Sequence, residues 1–158
     1  MPIVEKLRQF LEQEKVPYSV HSHPEAYTAL EIAALEHVKG RMLAKVVVAK
    51  TGDDALVMLV VPADRRVDFR KVAAALGAED IRLAHESEFR DAFPACEVGS
   101  MPPFGNLFGL PVLADELLGE NEDIVFNAGT HTLTVKLRFT DFARVVQPRM
   151  ARLSVPIA

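Results

Sequence analysis

Leu43-Ala44-Lys45-Val46-Val47-Val48-Ala49, the turn Thr51-Gly52-Asp53-Asp54, and then Leu56-Val57-Met58-Leu59-Val60-Val61 form the stretch on which the fold turns. Both apolar runs have strand length, and valine dominates them. A nearly continuous apolar run means burial on both faces, so the first arm belongs inside a sheet. The turn brings the second arm back beside it as a hairpin. Lys45 interrupts the run. Alternation puts it on one face with Leu43, Val47 and Ala49. A charged amine there needs an anionic partner, a wet cavity or a shifted pKa, unless it snorkels out near the strand end. We read it as a pocket lysine.

Upstream, residues 3–15 have the spacing of an amphipathic helix, with Ile3, Leu7, Phe10 and Leu11 on one stripe and Pro17 ending it. Tyr18 to His21 reads as a short strand. His21 and His23 stand two residues apart, but no Cys or carboxylate cluster at ligand spacing joins them, so no metal and no cofactor is expected. Thr28-Ala29-Leu30-Glu31 has the form of a capping box opening a helix to about His37.

Downstream, Pro62 to Arg66 reads as a loop. Asp68 is a candidate cap for a helix that runs through Leu76 and stops at Gly77. Ile81 to Ala84 reads as a strand and Glu86 to Phe93 as a short helix. Pro111 to Leu118 begins extended and turns helical. Asp123 to Asn127 is a strand, Ala128-Gly129-Thr130 a turn, and His131 to Phe139 an alternating strand with His131 at its mouth. Thr140-Asp141 is the expected cap of a last helix, Phe142 to Val146, and Pro148 ends it. Strands, hairpins and helices alternate irregularly. This argues for an α+β fold, a single domain over residues 1–158 with a mixed, mostly antiparallel central sheet flanked by helices.

Gly99-Ser-Met-Pro-Pro-Phe-Gly-Asn-Leu-Phe-Gly-Leu-Pro111 fits none of these elements. Its glycines and prolines exclude a regular helix or central strand. Its apolar residues exclude a solvated linker. It reads either as a rigid, half-buried loop whose backbone groups face a ligand, or as a crossover packed on the sheet.

Composition narrows the function. The chain is 49% hydrophobic and 25% charged, which allows a sizeable core. Its net charge of −4 argues against a strong non-specific nucleic-acid binder, and no DNA partner is expected. The charge is uneven: five basic residues and one acid follow from Lys136 onward, so the remainder is markedly acidic. One cysteine, no signal-like start and no run of transmembrane length lead us to expect a cytoplasmic protein without membrane contact. Cys96 is a nucleophile candidate only by default, because nothing near it in sequence activates it.

Four pieces together resemble a known family. They are the Lys45 strand, Val61-Pro62-Ala63-Asp64-Arg65-Arg66-Val67-Asp68, Glu97-Val98-Gly99-Ser100-Met101-Pro102-Pro103-Phe104-Gly105, and Asn127-Ala128-Gly129-Thr130-His131. They stand in the order and at the spacing of the YbaK family, the prolyl-tRNA synthetase editing-domain (INS) family of aminoacyl-tRNA deacylases. The resemblance covers nearly the whole chain and implies a free-standing editing domain. It implies hydrolysis of the ester on a mischarged tRNA, with a small amino acid such as alanine or cysteine, on the proline acceptor. The partners implied are the tRNA acceptor end and an aminoacyl-tRNA synthetase.

The resemblance makes Lys45 the anchor of the tRNA terminus. With Lys45, Gly99 and Ser100 become the catalytic candidates. Thr28, Met101, Pro102, Pro103, Asn127, Gly129, Thr130 and His131 become the substrate-binding ones. Lys39, Arg41, Arg65 and Arg66 are candidates for tRNA phosphates, together with the basic tail. No Ser/His/Asp set is evident in the sequence. The loop's backbone donors, a positioned water and the substrate's own ribose hydroxyl therefore become the expected means of hydrolysis. His131 is either a pocket-lining residue or a general base. The alternative to catalysis is a binding module that holds a tRNA end or a synthetase.

Overall fold

A computed structural model describes residues 4–157. The chain begins with α1 (Glu5–Gln13) and strand β1 (Ser19–Ser22), followed by α2 (Ala29–Leu35). The hairpin is β2 (Ala44–Thr51) and β3 (Leu56–Pro62). Then come β4 (Arg65–Val67), α3 (Phe69–Leu76), β5 (Ile81–Leu83) and α4 (Glu86–Phe89). Strands β6 (Val112–Asp115), β7 (Asp123–Asn127) and β8 (Leu133–Arg138) lead to α5 (Phe139–Val146), β9 (Arg149–Ala151) and β10 (Ser154–Pro156). No described helix is long and apolar enough to cross a membrane.

The hairpin is the middle of a five-stranded mixed sheet of order β5-β2-β3-β6-β9. β5 and β3 run antiparallel to β2, while β6 runs parallel to β3 and β9 parallel to β6. Its two faces carry separate cores, as the apolar runs require. Ala44, Val48, Met58 and Val60 join α1, α5 and the second sheet in the main core. Ala49, Val57, Leu59 and Val61 pack with Val72 of α3. The second sheet, β1-β8-β7, is antiparallel. A parallel bridge between Leu43 and Val125 joins the two sheets. Ile32 and Ala33 of α2 close over that junction with Leu43, Ala63 and Val125.

Local signals act where the sequence puts them. Thr28 and Glu31 form both halves of the capping box. Asp68 accepts from Arg70 N to cap α3, and Gly77 ends that helix in the left-handed conformation. The expected helix at residues 3–15 is α1, with Leu7 and Leu11 buried; Ile3 lies outside the described residues.

Three expectations are corrected. The end of the Pro62–Arg66 loop belongs to strand β4, and strands β9 and β10, which the sequence reading did not assign, follow the last helix; each is three residues long. Such short strands carry too little periodicity to register in sequence. The last helix starts at Phe139, not after Thr140-Asp141, with Arg138 at its cap and no side-chain cap bond. His131 precedes β8 and sits in the turn, since the strand begins only at Leu133.

The tail is fastened by a buried clasp. Asp115, 1% exposed, accepts at Oδ1 from Leu117 N (2.9 Å) and at Oδ2 from Leu153 N (3.1 Å) and Ser154 Oγ (2.6 Å). Arg65 Nε donates to Ser154 Oγ (2.9 Å), and Arg65 and Lys71 both donate to Ser154 O (3.0 Å). A cavity of about 480 Å³ opens over this clasp.

Candidate functional site

Two loops are laced together beyond the ends of β7 and β8. Glu97 N donates to Gly129 O (2.7 Å), Gly129 N to Ser100 O (2.9 Å), and Ser100 N back to Glu97 O (3.0 Å). The Glu97 carboxylate accepts from His131 N (2.7 Å). These bonds hold Gly99 at φ +87°, a conformation that L side chains rarely adopt. A Cβ at Gly99 would meet only His131 Cε1, at 3.6 Å, so the requirement for glycine is conformational and not steric.

The rest of the Gly99–Pro111 stretch is a plug. Met101, Pro102, Pro103 and Phe104 are buried, and Phe104 contacts the rings of Phe10, Phe126 and Phe142. Burying one such ring contributes about 1.5–3 kcal/mol. Gly105 approaches so closely that a Cβ would lie 2.6 Å from Val112 Cγ2 and 2.8 Å from Leu110 O. The crossover reading describes the plug, which packs on the sheet; at its lip Gly99 is exposed and Ser100 is buried behind it. The backbone N–H groups of Gly99 and Met101 donate to no protein acceptor among the described residues.

His131 is held on three sides. Its Nδ1 lies 2.9 Å from Ser100 Oγ, its backbone N–H is on Glu97, and the Tyr27 ring stands 4.7 Å from its own. This places a serine, a histidine and an acid close together, but not as a nucleophilic triad. Ser100 is fully buried, and Glu97 meets the backbone of His131 and not its ring. The roles of Glu97 and Tyr27 were missed in the sequence. Glu97 stands two residues before the glycine of its motif, yet its partner is 34 residues away and leaves no periodic trace.

Lys45 reaches the same side by register. Both strands of the Leu43–Val125 bridge run the same way, so Lys45 and Asn127 lie two residues beyond it in step. Lys45 is half-buried, and no carboxylate among the described residues lies within ion-pair distance of it. Burial pulls its ammonium below the ordinary lysine range, and the charge of Asp64 works against that shift. Asn127 Oδ1 is buried with no donor. Thr130 is buried, with its hydroxyl 3.4 Å from that of Thr132.

Other candidates are differently placed. Thr28 Oγ1 is committed to the cap: it accepts from Glu31 N and donates to Glu31 Oε1 (2.8 Å). Arg65 is engaged by Ser154, whereas Lys39, Arg41 and Arg66 are exposed. Burial pushes the Cys96 thiol up to about 11, with Lys6 pulling slightly the other way, so the thiol stays protonated and poorly nucleophilic. Among the described residues no three His, Cys, Asp or Glu side chains gather as a metal site needs.

Comparison with known proteins bears on the family and the fold. Residues 23–145 match the model of the aminoacyl-tRNA editing domain. The multifunctional Ser/Thr-tRNA deacylase ProXp-y of Escherichia coli (strain K12) is 32% identical over 153 residues, covering 92% of this chain and 89% of that protein. The proline–tRNA ligase of Thermosipho africanus is 33% identical over 94 residues, 60% of this chain but only 16% of the ligase. Among solved structures, the hypothetical protein APE2540 superposes with a TM-score of 0.86 at 18% identity, covering 96% of this chain and all of that one. A candidate trans-editing enzyme for prolyl tRNA synthetase superposes at 0.83 and 21% identity, covering 98% of both chains. At those identities the structures speak for the fold.

Proposed function

Because the chain belongs to the aminoacyl-tRNA editing domain family, we propose that it cleaves the ester joining a wrongly attached small amino acid to the 3′ end of a tRNA. The observation that carries the mechanism is the pair of unpartnered N–H groups at Gly99 and Met101, in a loop already fixed by its plug. Donors aimed at a developing oxyanion, with no ordering left to do, lower the barrier to attack on a carbonyl. Water adds to the ester carbon, and the bond to the ribose oxygen breaks. The amino acid leaves as its carboxylate and the tRNA regains its hydroxyl. One proton of the water passes by way of the neighbouring ribose hydroxyl to the leaving ribose oxygen, and the other is released to solvent as the carboxylate forms; neither buried Ser100 nor protonated Cys96 is a competent nucleophile in place of that water. Lys45 holds the phosphate of the terminal nucleotide. A phosphate supplies the anionic partner that this amine lacks.

The amino acid is small, with alanine, cysteine, serine and threonine as the set. The unpartnered Asn127 Oδ1 favours the hydroxyl-bearing pair, because a buried acceptor rewards a substrate that brings a donor. The name of the E. coli relative points the same way. The deciding experiment is a panel of tRNAs, the proline acceptor among them, mischarged with each of the four. Selective hydrolysis that Lys45→Ala lowers at least about tenfold supports the reading. Tight tRNA or synthetase binding with no turnover would replace it with a binding module.

A further inference from the structure

We propose that Ser100 fixes His131 in the tautomer that carries its proton on Nε2, so that His131 meets substrate as a hydrogen-bond donor. The first half rests on geometry alone, and the second rests on the editing reading above. Ser100 Oγ is fully buried, and His131 Nδ1 at 2.9 Å is its one hydrogen-bond partner among the described residues. A hydroxyl both donates and accepts, whereas a neutral imidazole nitrogen does one or the other. If Nδ1 carried the proton, it would donate to Oγ and leave the Ser100 O–H buried without an acceptor. If Nδ1 is bare, the Ser100 O–H donates to it and only acceptor capacity goes unused. An orphaned buried donor is the worse defect, so the hydrogen-bond network assigns the ring proton to Nε2.

The surroundings hold that choice in place. Glu97, the nearest acid to His131 in the hydrogen-bond network, is used by the backbone N–H. The Tyr27 ring sits against the imidazole, and the Gly99 backbone runs past Cε1. Nε2 makes no hydrogen bond to the described residues, so it is the nitrogen left for a ligand. In this tautomer it offers a proton to an oxygen of the aminoacyl group and cannot act as a base.

Nitrogen-detected correlation spectra of the histidine rings test the first half, at a pH where the ring is neutral. The expected result is a bare Nδ1 and a protonated Nε2 at His131. A protonated Nδ1 overturns the proposal with no variant needed. In Ser100→Ala the two nitrogen shifts should move toward each other as the second tautomer becomes populated; unchanged shifts would remove Ser100 as the cause. The second half is tested by substitution. The amide of His131→Gln can supply a donor near the position of Nε2 but no base. His131→Gln should therefore keep at least about tenfold more deacylation than His131→Ala. Equal loss in both variants overturns the donor role. Absence of hydrolysis in the unmodified protein would count against the editing reading and leave the ring spectra standing.

Discussion

The clasp around Asp115 and the laced loops around Gly99 use the same kinds of polar group to opposite ends. In the clasp each group is answered: three donors meet one buried carboxylate, and two cations converge on the Ser154 carbonyl. In the loops Asn127 Oδ1 is buried without a donor, the half-buried amine of Lys45 has no ion-pair partner, and the N–H groups of exposed Gly99 and of Met101 donate to no protein acceptor among the described residues. An unanswered buried acceptor such as Asn127 Oδ1 costs stability, and so does half-burial of an unpaired amine, so their meeting at one edge marks where the fold gives up stability for binding. The two regions should therefore respond to substitution in opposite ways.

The largest effect belongs to the clasp. Asp115→Ala leaves Leu117 N, Leu153 N and Ser154 Oγ buried without their acceptor, and should cost about 3–5 kcal/mol in urea unfolding. Deacylation per folded molecule should change little, because the clasp does not touch the loops. A parallel loss of activity and stability would break the comparison. Lys45→Ala is the counterpart. Removing a charge-assisted phosphate contact should lower kcat/KM roughly 10- to 100-fold, from about 1.5–3 kcal/mol. Stability should hold or rise, since burial already disfavours the Lys45 charge. Destabilisation by Lys45→Ala that is shared by Lys45→Met, which keeps the apolar stem, would mean that the amine has a structural partner and the site reading is mistaken.

These two regions were also unequally legible in the sequence. The hairpin, β7, the Thr28 cap and the Asp68 and Gly77 signals of α3 could be read because each is encoded in a few adjacent residues. The meeting of the Gly99 and His131 loops came from family resemblance, not from periodicity. The Ser100–His131 contact and the Glu97 lace stayed hidden, because polar pairs about thirty residues apart obey no local pattern. The clasp was hidden for the same reason, with Asp115 and Ser154 39 residues apart. Arg65 shows the consequence. In sequence it is one more arginine near a candidate RNA surface; in the fold its guanidinium is already held by Ser154.

Gly99→Ala sharpens the comparison from the site side. At φ +87° an L residue is strained by roughly 1–2 kcal/mol. The loop can relieve that strain only by turning the Gly99 N–H away from its present direction. We expect a fall in kcat of about tenfold and a modest loss in urea stability. An unchanged kcat would remove this N–H from the mechanism and leave Met101 as the remaining loop donor.

The smallest effect decides to which region Thr28 belongs. Its hydroxyl both accepts from Glu31 N and donates to the Glu31 carboxylate, so its one proton is committed and it has no donor left for substrate. Thr28→Ala should cost about 1 kcal/mol by loss of the cap, seen as a lower Tm, with KM for the mischarged tRNA unchanged. Thr28→Ser should restore the Tm, because a serine hydroxyl caps as well as a threonine hydroxyl. If Thr28→Ala instead raised KM at constant Tm, the hydroxyl would be exchanging its cap for the ligand. The boundary between the answered and unanswered groups would then run through α2, and not only through the two loops.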